Sequence, residues 1–129
     1  MIPPKARTAH FIFEDGVEYK DLKGIYPEIL RTFLEATGQM PDDQNLFEIW
    51  LERDMKEIER NRKPEGFLRQ NAIKLVFPIR DEGVEFYIHS TSKTQNILEV
   101  AEKIDGLLRK SGMKYKVKYD ALLRYSSSK

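Results

Sequence analysis

Cysteine is absent from this chain of 129 residues. That excludes a disulfide framework, a thiolate zinc site and a cysteine nucleophile. Histidine occurs only at His10 and His89, with no His-x-x-x-His or His-Glu-x-x-His spacing, so the helical zinc-hydrolase pattern is missing. Neither a Walker-type glycine loop nor an EF-hand loop is present. No apolar run approaches the roughly 20 residues of a membrane helix. The opening Met1-Ile2-Pro3-Pro4-Lys5-Ala6-Arg7 holds no apolar core of signal-peptide length, so a cytoplasmic protein is the expectation. Charge of one sign is lacking too. The 22 Lys and Arg nearly balance 21 Asp and Glu, for a net +1, which argues against a global polycation. These absences nominate no catalytic residue, metal site or cofactor, and favour a binding domain over an enzyme.

What is present suffices for one core. Hydrophobic residues make up 40% of the chain and aromatics 11%, enough for a single domain of this length. Residues 1–125 are expected to form that domain, with Ser126-Ser127-Ser128-Lys129 as a frayed tail.

One pattern occurs twice, 67 residues apart: Glu14-Asp15-Gly16-Val17-Glu18-Tyr19 and Asp81-Glu82-Gly83-Val84-Glu85-Phe86. Each copy follows a strand-like run and places Gly where a tight turn needs positive φ. It reads as a hairpin signal, compatible with a ββα duplication but better explained by two independent turns of common chemistry.

Thr8-Ala9-His10-Phe11-Ile12-Phe13 is strand-like, with Val17-Glu18-Tyr19 returning after the Asp15-Gly16 turn. Leu22, Ile25, Ile29 and Phe33 recur at helical spacing, Leu30 and Leu34 widen the stripe, Pro27 marks the first turn and Gly38 the stop. A second helix opens at Pro41-Asp42-Asp43, with Asn45 and Glu48 as an alternative capping box. Its apolar face is widest at the start, which predicts a more buried N-terminal half. Glu52 with Lys56 and Glu59 with Lys63 suit i,i+4 pairing on a solvated flank.

Ile73, Leu75, Phe77 and Ile79 alternate with Lys74, Val76, Pro78 and Arg80 as the buried face of a strand. Pro78 makes it an edge or bulged strand. After an Asp81-Glu82-Gly83 loop, Val84, Phe86 and Ile88 face one way, and Glu85, Tyr87 and His89 the other. A third helix, capped by Ser92 and Gln95 and striped by Ile97, Ala101, Ile104 and Leu108, ends at Gly112. Residues 113–119 form the last strand. The order ββα-α-ββα-β predicts an α+β domain, a mainly antiparallel sheet with helices over one face.

Residues 103–129 carry eight Lys or Arg against two Asp, a local net charge of +6, whereas the preceding 102 residues net −5. Lys114, Lys116 and Lys118 alternate with Tyr115, Val117 and Tyr119, so three ammonium groups share one face of the last strand. A local excess of this kind suits a phosphate backbone. Arg109, Lys110, Lys114, Lys116, Lys118, Arg124 and Tyr125 are therefore the candidate nucleic-acid contacts, for RNA or DNA, with Tyr87 or Tyr125 offering a stacking surface. The bland reading of the same lysines is protection of a strand edge.

Two other surfaces compete. His89-Ser90-Thr91-Ser92-Lys93-Thr94 joins a strand end to a helix start, an anion-binding location for a small phosphorylated or carboxylated ligand, although Ser and Thr there are also ordinary caps. Edge-like strands and abundant aromatics would equally suit a protein partner or a homodimer. His10 and His89 could meet, joined by Glu85, if their strands are neighbours. Trp50 with Phe47 would anchor a partner if exposed and belongs to the core otherwise.

Overall fold

The computed structural model describes residues 7–69, 73–80, 82–90 and 97–120. Within them are four strands and three α-helices: β1 (Thr8–Phe13), α1 (Tyr26–Ala36), α2 (Gln44–Glu59), β2 (Lys74–Val76), β3 (Glu85–His89), α3 (Leu98–Ser111) and β4 (Tyr115–Tyr119). The strands form one antiparallel sheet in the order β2-β3-β1-β4. With α1 and α2 between β1 and β2, and α3 between β3 and β4, this is the split βαβ, or ferredoxin-like, connectivity. The expected α+β class with a mainly antiparallel sheet is what the chain adopts. None of the described helices is long and apolar enough to cross a membrane.

The expected return strand at Val17–Tyr19 does not form; Tyr19–Leu22 is a short 3-10 turn. Gly16 supplies the anticipated positive φ of 94°. However, both edges of β1 are already paired, with β3 and with β4, and a strand has only two edges. Glu18 and Asp21 instead cap each other's backbone reciprocally and start the turn. The two Gly-Val-Glu copies are therefore not equivalent: one leaves β1 and the other enters β3. The internal repeat that the topology does contain, β-α-β twice, runs in a different phase.

Alternating burial explains where the sheet meets the helices. Ala9, Phe11 and Phe13 of β1, Leu75 of β2, and Phe86 and Ile88 of β3 point into one core with Ile29, Leu30, Phe33 and Leu34 of α1 and Ala101, Ile104 and Leu108 of α3. Phe11 stacks on Phe86 at 4.9 Å between centroids, Phe77 lies 5.5 Å from Phe86, and Tyr26 lies 5.9 Å from Phe77. Each fully buried Phe or Leu contributes about 1.5–3 kcal/mol.

Several boundaries move. Pro78 halts β2 at Val76, so Ile79 leaves the expected buried face and is 90% exposed. The β2–β3 connection is correspondingly longer than the anticipated loop, of which Asp81 lies outside the described residues; Gly83 has its φ of 83°. Asp43 caps α2, accepting from the Asn45 N–H at 2.9 Å. That helix is not buried preferentially at its start: Leu46 and Ile49 are exposed while Phe47 and Ile58 are buried, because α2 packs on the 3-10 turn and on α1 without lying flat on the sheet. Trp50 is half-buried, edge-on to Phe67. Glu52 pairs with Lys56 as expected, whereas Glu59 pairs with Lys23 across the chain. Gly112, at φ 78°, ends α3; the Ser92–Gln95 capping box lies outside the described residues.

A buried carboxyl ties the helices together. Asp54 of α2 is 0% exposed. Its Oδ2 accepts from the Tyr26 hydroxyl of α1 at 2.5 Å, and its Oδ1 from Arg53 Nε at 3.2 Å and the Glu65 N–H at 3.3 Å. Burial pushes the Asp54 carboxyl above its ordinary range, partly opposed by these donors; burial, then Asp54 itself, pushes the Tyr26 phenol well up. Arg53 also donates to the Gly66 carbonyl at 2.7 Å. Phe67 next door exchanges both backbone hydrogen bonds with Leu75 and covers the outer edge of β2. Gly66 has φ 78°, and a Cβ there would lie 2.3 Å from the Leu75 carbonyl oxygen.

Two stability predictions follow from this network. Gly66→Ala should cost at least about 1–3 kcal/mol in urea denaturation, the strain at positive φ, with the clash against the Leu75 carbonyl added; an unchanged midpoint would refute both. Tyr26→Phe should cost about 1.5–3 kcal/mol at neutral pH, the range for a hydrogen bond to a charged group. That bond favours the ionised carboxyl, so the deficit is complete above the folded pKa of Asp54 and shrinks as pH falls through it. A deficit independent of pH would mean that Tyr26 acts by packing only.

Candidate functional site: the helix-free face of the sheet

With the helices on one side, the opposite face of the sheet carries the even-numbered residues of β1 and their neighbours. Strand register fixes the rows. His10 of β1 lies between Tyr87 of β3 and Lys118 of β4, and Ile12 lies between Glu85 and Lys116. Thr8 faces His89, which faces Lys74 of β2; Tyr87 faces Val76. Among the residues of the four strands, the cations are Lys74, Lys116 and Lys118, and Glu85 is the one carboxylate.

Glu85 is committed at both oxygens. Its Oε1 accepts from Arg80 Nη1 at 2.9 Å, and its Oε2 lies 2.9 Å from His10 Nδ1. A carboxylate only accepts, so the imidazole donates from Nδ1; in the neutral ring Nε2 is then the acceptor. His10 is 0% exposed and stacks on Tyr87 at 4.6 Å, with 27° between the planes. Among the described residues its Nε2 has no hydrogen-bond partner, and neither does the buried Thr8 Oγ1 two residues away on the same face. Asp120, at the end of β4, is engaged as well: its Oδ1 accepts from the N–H groups of Arg7 and Thr8.

The basic candidates divide. Lys114 and Lys116 are exposed and Lys118 is half-buried, and none of the three has an ion-pair partner among the described residues. They line β4, which is an outer strand of the sheet. Arg109 belongs to α3 on the helical side, held by Asp105 at 2.7 Å, but borders the same shallow depression as Lys114 and Lys116. Lys110, on the next position of that helix, borders a separate hollow with Asp21 and Glu28. Arg124 and Tyr125 lie outside the described residues. Tyr115 is structural: its hydroxyl donates to Asp105, its ring packs near Phe11 and Phe13, and burial followed by that hydrogen bond pushes its phenol up to about 12.

Of the His89–Thr94 anion surface, only its first two residues are described; Thr91, Ser92, Lys93 and Thr94 lie outside. Ser90 is buried, and its N–H donates to the Arg7 carbonyl at 2.8 Å. His89 is half-buried, and burial, then Lys74, Arg7 and His10, push its imidazole below the usual range. The strands of the two histidines are indeed neighbours. Yet His10 meets Glu85 and Tyr87, while His89 faces Thr8. No group of three or more metal-ligating side chains occurs among the described residues.

Away from the sheet face, Met40, Leu46, Trp50, Phe67 and Leu68 line an open groove of about 790 Å³ near the start of α2. Arg53 and Glu65, paired at 3.3 Å, also border it. Lys74, Arg80 and Thr8 belong to the sheet face without having been singled out from the sequence. Alternation placed Lys74 on the polar side of its strand, but only the strand order brings it next to His89.

No family model matches the chain, and no curated protein or solved structure matches it either.

The tautomer of His10 is directly testable. Nitrogen NMR at neutral pH should show the proton on Nδ1. In Glu85→Gln, the amide oxygen stays with Arg80 and the amide nitrogen turns to Nδ1, so the proton should move to Nε2. A proton on Nε2 in the unmodified protein would overturn the Glu85–His10 donor assignment.

Proposed function

We propose that this chain is a nucleic-acid-binding domain that holds an unpaired strand across the helix-free face of its sheet. The observation that carries the reading is the charge on that face. Lys116 and Lys118 project from β4 unpaired among the described residues, Lys114 precedes them, Lys74 adds a cation on the far side, and the single strand carboxylate is engaged by Arg80 and His10. Basic groups of this kind bind phosphates by releasing condensed counterions. Glu14 and Asp15 lie in the turn leaving β1, beside Lys116. The phosphate path therefore favours the Lys118 end of the strand.

An unpaired strand fits better than a duplex. A sheet face cannot enter a major groove as a helix does, whereas unpaired bases stack on aromatic rings of a sheet. Tyr87, half-exposed at the centre of the face, supplies that ring. The alternative use of the same strand is pairing with a second copy through the open edge of β4. Two lysines in each strand, with Lys114 just before them, oppose this pairing, since an antiparallel pair would set lysines against lysines.

Fluorescence anisotropy with labelled single strands at two salt concentrations tests the proposal. Binding should weaken steeply with salt. Lys114→Glu, Lys116→Glu and Lys118→Glu together should lower affinity and reduce the salt slope by about one unit per lost phosphate contact. Lys110→Glu, on the other side of the sheet, should change neither. Unchanged affinity in the triple variant would reject the proposal and leave edge protection as the role of these lysines.

A further inference from the structure

Thr8 and His10 hold the two side-chain polar atoms of the sheet face that lack a partner among the described residues, and their chemistry is complementary. Glu85 takes the Nδ1 proton, so His10 presents an acceptor at Nε2; Thr8 presents a hydroxyl that can donate. Residues i and i+2 of a strand stand about 6.8 Å apart on one face. A single hydroxyl between them can donate to Nε2 and accept from Thr8 Oγ1. Buried polar atoms without partners are costly and call for a ligand or a water. From these observations, and resting on the nucleic-acid reading above, we infer that the strand bound here is RNA and that its 2′-hydroxyl is the group received by Thr8 and His10.

The surroundings fit a ribose at this position. Tyr87 stacks on His10 from β3, and its half-exposed ring is the surface a base would use beside the β1 row. Lys118 is the cross-strand neighbour of His10 on the other side, where the adjoining phosphate would lie. His10 is fully covered in the free protein. Thr8 is covered as well, at 2% exposed, so receiving the hydroxyl requires the half-exposed Tyr87 and Lys118, which flank His10 in its row, to move on binding. No other group of a nucleic acid backbone both donates and accepts at one atom: phosphate oxygens only accept, and deoxyribose has no hydroxyl there. The function of Thr8 is thereby separated from its structural role, because an unpartnered hydroxyl contributes nothing to the fold that a methyl group would not.

The test compares three labelled decamers with the full chain at one salt concentration: oligouridylate, oligodeoxyuridylate and 2′-O-methyl oligouridylate. The ribose decamer should bind about tenfold tighter than either of the others, the factor that accompanies one satisfied hydrogen bond. Thr8→Val should close most of that gap while leaving the melting temperature unchanged or higher. Glu85→Gln, which turns Nε2 into a donor, should close it as well. Equal affinity for the ribose and deoxyribose decamers overturns the inference and leaves nucleic-acid binding standing. A 2′-O-methyl decamer that binds like RNA also overturns it, since a methyl ether cannot donate to Nε2. No binding of any decamer overturns both readings. A Thr8→Val variant with full RNA preference overturns the assignment of Thr8.

Discussion

Strand β1 is paired on both edges, and its two faces meet different surroundings. Everything else in the fold is arranged around that constraint. Its odd-numbered side chains, Ala9, Phe11 and Phe13, must be covered by helices, so both crossovers lie on that side. Its even-numbered side chains, Thr8, His10 and Ile12, become the floor of the opposite face. Because β3 and β4 occupy both edges, the turn at Asp15-Gly16 cannot fold back as a hairpin. The chain must leave the sheet there, and the 3-10 turn at Tyr19–Leu22 carries it to α1. A shift of one residue in β1 would exchange Phe11 for His10 in the core, which makes the register hard to slip.

Two buried polar clusters flank this sheet, and their difference separates scaffold from site. Around Asp54 both carboxyl oxygens have donors, and those donors come from α1, from α2 and from the segment that covers β2. Such a fully paired cluster fixes the relative positions of elements and asks for nothing further. Around His10 the carboxylate is equally well paired, but the imidazole Nε2 and the Thr8 hydroxyl are not. A network left open at one end is destabilising by itself, and such unfilled positions are where function is to be sought. The position of the opening, between a stacked tyrosine and a lysine, is what gives it chemical meaning.

The sequence made the alternation along each strand legible. Phe11 and Phe13 are separated from His10 and Ile12, Phe86 and Ile88 from Glu85 and Tyr87, and the three lysines from Tyr115, Val117 and Tyr119 as read from period two alone. The stripes of α1 and α3 and the glycine stops at Gly38 and Gly112 were equally readable, whereas the apolar face of α2 was misjudged at Leu46 and Ile49. Hidden from it was everything that depends on which strand lies beside which. The turn at Gly16 looked like a hairpin because its local chemistry is that of a hairpin; only the occupancy of both β1 edges forbids one. Lys74 and Lys118 lie 44 positions apart yet share a face only because β3 and β1 stand between their strands. Asp54 was not singled out at all, since no local pattern announces a tyrosine arriving from 28 residues earlier.

The lysines of β4 need not choose between edge protection and ligand binding, but the two roles demand different neighbours. An edge strand is protected by charge of either sign, because what prevents pairing is the cost of burying a hydrated group. Nothing in that role requires the adjoining strands to be free of carboxylates, and an unengaged acid on β1 or β3 would even help to hold the lysines in place. A phosphate-binding face has the opposite need, since every free carboxylate nearby repels the ligand. On this sheet β1, β2 and β4 contain no acid at all, and the one in β3 is held between a guanidinium and an imidazole. The other outer strand makes the same point from the far side. The edge of β2 is covered by the backbone at Phe67 and needs no guard, yet its Lys74 still points onto the shared face. Edge protection accounts for the lysines of β4 alone, whereas a phosphate-binding face accounts for those lysines, for Lys74 and for the engaged Glu85 together.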